Sequence, residues 1–76
     1  LKEVQRAIED TVARMPPKMR EVYRLSRQEH LSHKEIAERL GISLETVKKH
    51  IQHSLQLIKF AIGYTPLFFL LLHLAC

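Results

Sequence analysis

The 76-residue chain has room for one small domain, and 12 basic against 8 acidic side chains give it a formal charge of +4. A basic surplus of this size is compatible with a polyanionic partner but does not identify one. The sequence has no glycine-rich phosphate loop, no nucleophile beside a base and no paired carboxylates, so we expect neither an enzyme nor a cofactor.

The first two predicted helices are separated by a pair of prolines. Apolar residues recur at three- and four-residue steps up to Met15 and predict an amphipathic helix, which Pro16 and Pro17 end. Pro17 suits the first turn of a second helix, which we expect to run to about Gln28. The predicted inward face of the first helix contains Leu1, Val4, Ile8, Thr11, Val12 and Met15, and that of the second contains Met19, Val22, Tyr23, Leu25 and Ser26.

Two further helices are predicted from their capping residues. Ser32 and Glu35 form a capping box that begins the third helix, and Gly41 ends it. Ser43 is the natural N-cap of the fourth helix, with Glu45 near the positive end of the helix dipole. The predicted buried face of the fourth helix contains Val47, Ile51, Ser54, Leu55 and Ile58, and its exposed face contains Lys48, Lys49, Gln52, Gln56 and, at the edge, His53.

No strand is predicted, so the expected fold class is all-α: a four-helix, bundle-like domain over residues 1–62 and an apolar C-terminal tail, predicted to be helical, over residues 63–76. The apolar run in the tail is about half of the roughly 20 residues that span a bilayer, and His73 interrupts it, so we expect no transmembrane helix. The only cysteine is Cys76, which excludes a disulfide within the chain and favours a reducing, cytoplasmic location. The histidine pairs His30/His33 and His50/His53 lack further converging ligands, so no metal site is expected.

A short helix, a turn with glycine and a second helix make a helix-turn-helix unit. Ala37 is predicted to lie where the two helices cross closely, Gly41 permits the turn, and Val47 returns into the same core. Positive charge concentrates in residues 18–30 (four basic, two acidic) and 43–60 (three basic, one acidic). An ordinary helical hairpin with a solvated polar face is the alternative, but the cap, the spacing and the cationic last helix together favour DNA binding. The predicted helix-turn-helix core contains Ile36, Ala37, Leu40, Gly41, Ile42, Val47 and Ile51.

The stretch LSRQEHLSHKEIAERLGIS, with MPPKMREV before it and TVKKHI after it, resembles region 4 of bacterial sigma factors of the extracytoplasmic-function (ECF) class. The resemblance covers about Met15 to Phe60. It implies binding to the minus-35 promoter element and contact with the flap of the RNA polymerase β subunit. By position in this motif, the DNA-facing residues would be Thr46, Lys48, Lys49, Gln52 and His53, with Lys48 and Gln52 as base readers, and the DNA-backbone contacts would be Arg27, Ser32, His33 and Lys34.

Two further observations concern how individual residues would contact DNA. Family members often have arginine where this chain has Lys48 and His53, and lysine is a point charge that cannot read guanine with two parallel hydrogen bonds. Ser32 and Ser43 each begin a helix, and a helix N-terminus can hold a phosphate.

Two alternative functions remain open at this point. Response regulators of the quorum-sensing type share EIA, LGIS and TVK, but MPPKMREVYRLSRQEHLS upstream favours the sigma interpretation. The second alternative is a protein-interaction module that uses the tail, whose large apolar side chains are each worth roughly 1.5–3 kcal/mol when buried. We expect a homodimer through this tail; docking on another domain, burial in an anti-sigma partner and folding back onto the first two helices are alternatives. The residues concerned are Leu67, Phe68, Phe69, Leu70, Leu71, Leu72 and Leu74.

Overall fold

A computed structural model of the chain describes residues 2–63. This part consists of four helices: α1 (Lys2–Arg14), α2 (Pro17–Arg27), α3 (His33–Leu40) and α4 (Leu44–Ile62). No strand occurs between residues 2 and 63, and the predicted all-α fold class is confirmed. The predicted tail helix and all seven apolar tail residues lie outside the described residues.

The junction between α1 and α2 follows the proline pair, as predicted. Pro16 has an extended backbone (φ −54°, ψ 146°), and α2 begins at Pro17, where a missing N–H leaves no hydrogen bond unmade. The guanidinium of Arg20 reaches back and donates to the carbonyl of Ala13 in the last turn of α1, at 3.4 Å. The two helices are therefore connected by a short, defined turn.

The connection from α2 to α3 contains a residue in an unusual conformation. His30 has a φ of +57°, in the left-handed region that side chains other than glycine seldom adopt. Next to it, the N–H of Leu31 donates to the carbonyl of Leu25 at 3.0 Å, and the Leu31 side chain packs against the core. The left-handed residue lets the chain turn sharply between the two helices.

The core of residues 2–63 is divided into two clusters that share α4. The proximal cluster, near the start of α4, consists of Val22, Leu25, Ile36, Val47 and Ile51. The distal cluster, near the end of α4, consists of Val12, Met15 and Ile58, with Ile8, Met19, Tyr23 and Ile62 packed against them. Because α4 packs against α1, α2 and α3, it is the central element of the fold.

The buried face of α4 differs from the prediction at Leu55. Val47, Ile51, Ser54 and Ile58 are buried as predicted, whereas Leu55 is 39% exposed. The buried residues follow each other at four-, three- and four-residue steps, and Leu55 lies one position off this stripe, where no neighbouring helix covers it. Ser54 is fully buried, and its hydroxyl donates to the carbonyl of Ile51 at 2.8 Å, so it is a packing residue with a satisfied polar group.

Candidate nucleic-acid interface

The turn of the helix-turn-helix is made by the backbone of Gly41. Its φ and ψ are +65° and 36°, and the N–H of the following Ile42 donates to the carbonyl of Ala37 at 3.1 Å. A Cβ built at Gly41 would have no heavy atom within 4 Å, so conformation, and not space, requires glycine here. Gly41 is exposed and contributes the turn, while Ala37, Leu40 and Ile42 pack half-buried against the proximal cluster.

The predicted capping box at the start of α3 is confirmed. The N–H of Glu35 donates to the hydroxyl of Ser32 at 3.1 Å, and the N–H of Ser32 donates to the Glu35 carboxylate at 2.8 Å. The hydrogen bond from the Ser32 backbone, and then the Ser32 side chain, lower the pKa of Glu35 below its ordinary value of 4.5, with a smaller contribution from the charge of Arg39. The ionised carboxylate is therefore part of the cap.

The start of α4 is capped by Ser43, also as predicted. The N–H of Thr46 donates to the Ser43 hydroxyl at 3.0 Å, and the two hydroxyls share a hydrogen bond at 2.8 Å. Thr46 is half-buried, and Glu45 lies in the first turn, where its charge complements the helix dipole. These bonds fix the direction in which α4 leaves the turn.

The N-terminal half of α4 has an exposed cationic face, which we call the α4 face; it consists of Lys48, Lys49, Gln52 and His53. The prediction that these side chains point away from the core is confirmed, because Val47 and Ile51 on the opposite side are buried. Neither lysine forms an ion pair with any residue between 2 and 63. The ion pair in this part of the chain joins Arg39 to Glu29 at 3.6 Å, and both partners are exposed.

The residues predicted to contact the DNA backbone lie at helix ends. Arg27 is the last residue of α2, and His33 and Lys34 begin α3 directly after the Ser32 cap. Arg27, Ser32 and Lys34 are exposed, whereas His33 is half-buried. The fold thus places basic side chains at the C-terminal end of α2 and in the first turn of α3.

Two surface grooves could not be predicted from the sequence. The α1–α2 groove, of about 240 Å³, is lined by Ile8, Glu9, Val12, Ala13, Tyr23, Arg24, Arg27 and Gln28. The α1–α4 groove, also of about 240 Å³, is lined by Thr11, Arg14, Leu57, Phe60 and Ala61. Each of these two grooves forms between a pair of packed helices, so periodicity within one helix gives no signal of it. The one available hint is that Leu57 and Phe60 lie off the inward stripe of α4.

Two other features are absent from residues 2–63: a metal-ligating cluster and a membrane-spanning helix. No three His, Cys, Asp or Glu side chains converge within residues 2–63 to hold a metal ion. None of the four helices there has both the length and the apolar character needed to cross a bilayer.

Together, α3, the Gly41 turn and α4 with its exposed cationic face define a helix-turn-helix domain of the DNA-binding class. Residues 5–58 match the family model of sigma-70, region 4, which covers more than half of the chain, and the chain belongs to this family. No curated protein and no solved structure matches it. The family is a promoter-binding domain of the transcription machinery, with RNA polymerase as its partner, and is not catalytic. The match favours the sigma interpretation over the response-regulator alternative.

Proposed function

We propose that this domain is region 4 of a sigma factor of the ECF class and that α4 enters the major groove at the minus-35 element. The observation that carries the proposal is the α4 face: four exposed polar side chains, two of them lysines without an ion pair among residues 2–63. Because the Gly41 turn and the Ser43 cap hold α4 at a fixed angle to α3, this face is presented as a rigid unit.

In this proposal the residues divide into base readers and backbone contacts. Lys48 and Gln52 read base edges, since lysine donates to guanine and glutamine can pair with adenine through two hydrogen bonds. Lys49 neutralises a phosphate, and phosphate contacts position the helix without reading sequence. The remaining contacts are assigned to Thr46 and His53 on α4, to Ser43 at its start, and to Arg27, Ser32, His33 and Lys34 beside it.

The hydroxyls of Ser32 and Ser43 have a limited role in this assignment. Both already accept a hydrogen bond from their own helix. Their contribution to phosphate binding therefore comes through the helix N-termini that they begin, where backbone N–H groups and the helix dipole favour an anion.

The base assignments are tested by selecting binding sites from a random duplex library with the 76-residue chain and with variants. We expect Lys48→Ala and Gln52→Ala each to relax preference at one position, by roughly 1–3 kcal/mol of discrimination against the wrong base. Gln56→Ala, one turn beyond Gln52 on the exposed side of α4, is the matched control and should leave the selected site unchanged. Identical selected sites for the parent chain and for both base-reader variants would contradict the assignment.

We also propose that the flap of the polymerase β subunit docks in the α1–α2 groove. The groove contains apolar side chains from both helices, including Ile8, Val12 and Tyr23, and Arg27 at its α2 side is the one lining residue that is also assigned to DNA. An apolar segment of the polymerase could thus be held while α4 contacts DNA.

The groove is tested by retention of the β subunit from a bacterial lysate on the immobilised chain. Ala13→Glu places a charge in the groove at an exposed position, so retention should be lost while the fold persists. Gln5→Glu introduces the same side chain on the exposed surface of α1 outside this groove and should retain the subunit. Equal retention by both variants would exclude this groove as the docking site.

The remaining parts of the proposal concern the end of the chain. We place the domain boundary at residues 62–63, where α4 ends. The anti-sigma partner and the homodimer were predicted from residues 67–74, outside the described residues, and both stay predictions.

A further inference from the structure

We infer that Leu44, the first residue of α4, is a further specificity-determining residue, whose apolar side chain contacts the C5-methyl group of a thymine in the major groove. The inference rests on the proposed entry of α4 into that groove and adds a contact to it. Leu44 is 42% exposed and belongs to neither core cluster of residues 2–63, nor to the side chains packed against those clusters. The packing of the domain therefore does not account for a large apolar side chain at this position.

Leu44 continues the line of the proposed base readers towards the start of α4. It precedes Lys48 by four residues and Gln52 by eight, so the three residues follow each other about one turn apart along one side of the helix. In a helix-turn-helix domain, the N-terminal part of the second helix contacts base edges. Four residues advance about 6 Å along the helix and base pairs are stacked about 3.4 Å apart. Leu44 is therefore expected to contact a base pair one or two steps from the one that Lys48 reads.

The chemistry of Leu44 differs from that of the other exposed side chains in this part of α4. Among the exposed residues from 44 to 53 it is the only apolar one. Lysine and glutamine recognise base edges through hydrogen bonds, whereas the C5-methyl group, which distinguishes thymine in the major groove, is recognised by an apolar side chain. The contact is favourable because it removes apolar surface of both groups from water. Leu44 thus supplies the kind of readout that the α4 face lacks.

The capped start of α4 holds the backbone of Leu44 in a defined position. The hydroxyls of Ser43 and Thr46, on either side of it in the chain, share a hydrogen bond at 2.8 Å, and the N–H of Thr46 donates to the Ser43 hydroxyl at 3.0 Å. The first turn is therefore already ordered before DNA binds. A contact from a pre-ordered turn does not bear the entropy cost of ordering that turn on binding.

Replacement of thymine by deoxyuridine, which removes only the C5-methyl group, tests the inference with the 76-residue chain. The probe is the duplex selected from the random library, with each thymine replaced in turn and the affinity measured by fluorescence anisotropy. We expect one replacement, near the base pair read by Lys48, to weaken binding of the parent chain by about fourfold, the equivalent of one methyl group removed from water. The same replacement should not weaken binding of Leu44→Ala, because the apolar contact is absent from this variant.

Three results would overturn the inference. The first is a selected site without a thymine within about two base pairs of the position that Lys48 reads. The second is parent binding that no deoxyuridine replacement weakens. The third is an equal loss of affinity in the parent chain and in Leu44→Ala, which would show that the methyl group acts without this side chain.

Leu55→Ala is the matched control for Leu44→Ala. Leu55 lies eleven residues, or about three turns, beyond Leu44 on the same helix, and the two side chains are 39% and 42% exposed. Because Leu55 is about 16 Å further along α4, Leu55→Ala should keep the full loss of affinity on deoxyuridine replacement. Both residues are exposed, so neither variant should unfold, which circular dichroism verifies, and the parent measurement stands without either variant. Equal abolition of the methyl effect by both variants would contradict the assignment to Leu44.

The same measurements separate failure of this inference from failure of the proposed function. If α4 enters the major groove but Leu44 contacts no thymine, Lys48→Ala and Gln52→Ala still relax base preference, while the effect of deoxyuridine is the same in the parent chain and in Leu44→Ala. If α4 does not enter the groove, none of the three substitutions changes the selected site. The first result overturns this inference alone, and the second overturns it together with the proposed function.

Discussion

His30 and Gly41 are the two residues between 2 and 63 with a left-handed backbone, and they stand on either side of α3. Gly41 adopts this conformation without strain, whereas His30 adopts it at the cost that a Cβ imposes. The sequence motif indicates glycine in the turn of the helix-turn-helix but gives no comparable signal at His30. The turn at each end of α3 therefore depends on the left-handed backbone of one residue, His30 before the helix and Gly41 after it.

Substitution of these two residues should change stability in opposite directions. Gly41→Ala is expected to lower the free energy of unfolding by about 1–2 kcal/mol, because a Cβ strains the left-handed conformation even in open space. His30→Gly is expected to raise the free energy of unfolding by a smaller amount. Glycine relieves the strain of the left-handed backbone, but this gain is offset by about 0.5–1 kcal/mol of added conformational freedom in the unfolded chain. Urea denaturation measures both. A neutral Gly41→Ala would show that the turn does not require glycine.

The capping box makes the stability of α3 depend on pH. The folded-state pKa of Glu35 is lowered, so the ionised carboxylate contributes stability that is fully present above the ordinary value of 4.5 and is lost as the pH falls through the lowered folded value. Glu35→Ala should therefore be less stable than the parent near neutral pH, and the difference should shrink in acid. Urea titrations across this pH range measure it. Glu38→Ala, at an exposed position on the same helix but outside the cap, is the control, and an equal pH dependence of its effect would contradict the role of Glu35.

At the scale of elements, α4 determines the cooperativity of the domain because it contributes Val47 and Ile51 to the proximal cluster and Ile58 to the distal one. Neither cluster is large, and each is completed by residues from at least one other helix. Loss of either should therefore destabilise the whole helix and, through it, the other cluster.

Truncation of one buried residue in each cluster tests this coupling. Ile36→Ala and Ile58→Ala should each lower the free energy of unfolding by about 2–5 kcal/mol, with a single transition in circular dichroism. Leu55→Ala should change it by only about 0.5 kcal/mol, because Leu55 is exposed. A loss at Leu55 as large as that at Ile58 would mean that Leu55 is a core residue in solution.

The elements could be predicted from the sequence where a local signal marks their ends. Pro17, Ser32, Gly41 and Ser43 act through their own backbone or side chain, so the helix bounds followed from residue type. Leu55 was assigned wrongly because periodicity defines a face only broadly, and the width of the buried stripe depends on which helices cover it. The two clusters and both grooves arise from helix crossing and have no counterpart in any single segment.

At the scale of the whole molecule, exposed lysines lie near both ends of α4. The α4 face and the basic residues at the start of α3 belong to the proximal half of the fold, whereas Lys59 lies on the exposed surface of α4 near its end. Lys59 follows Lys49 by ten residues, or about 15 Å along the helix axis. Lys49 and Lys59 therefore carry the same charge on the same helix, one in its N-terminal half and the other near its C-terminal end.

This pair tests where DNA contacts the molecule. Lys49→Ala should reduce the slope of log affinity against log salt concentration by about one unit, because one fewer counterion is released. Lys59→Ala should leave the slope unchanged, since in the proposed complex the DNA does not reach the end of α4. Fluorescence anisotropy at several salt concentrations measures both slopes. Equal reductions would place the duplex along the full length of the helix.

The division of α4 between two clusters has a consequence for chimaeras with relatives. Residues 44–53 contain all the proposed α4 contacts, and only Val47 and Ile51 among them are buried. If the eight other residues were replaced by those of a different family member, the proposed contacts predict that the promoter preference of that member would be transferred with this one short segment. The groove proposed for the polymerase would be inherited unaltered, so new specificities could be grafted without re-engineering the remainder of the protein.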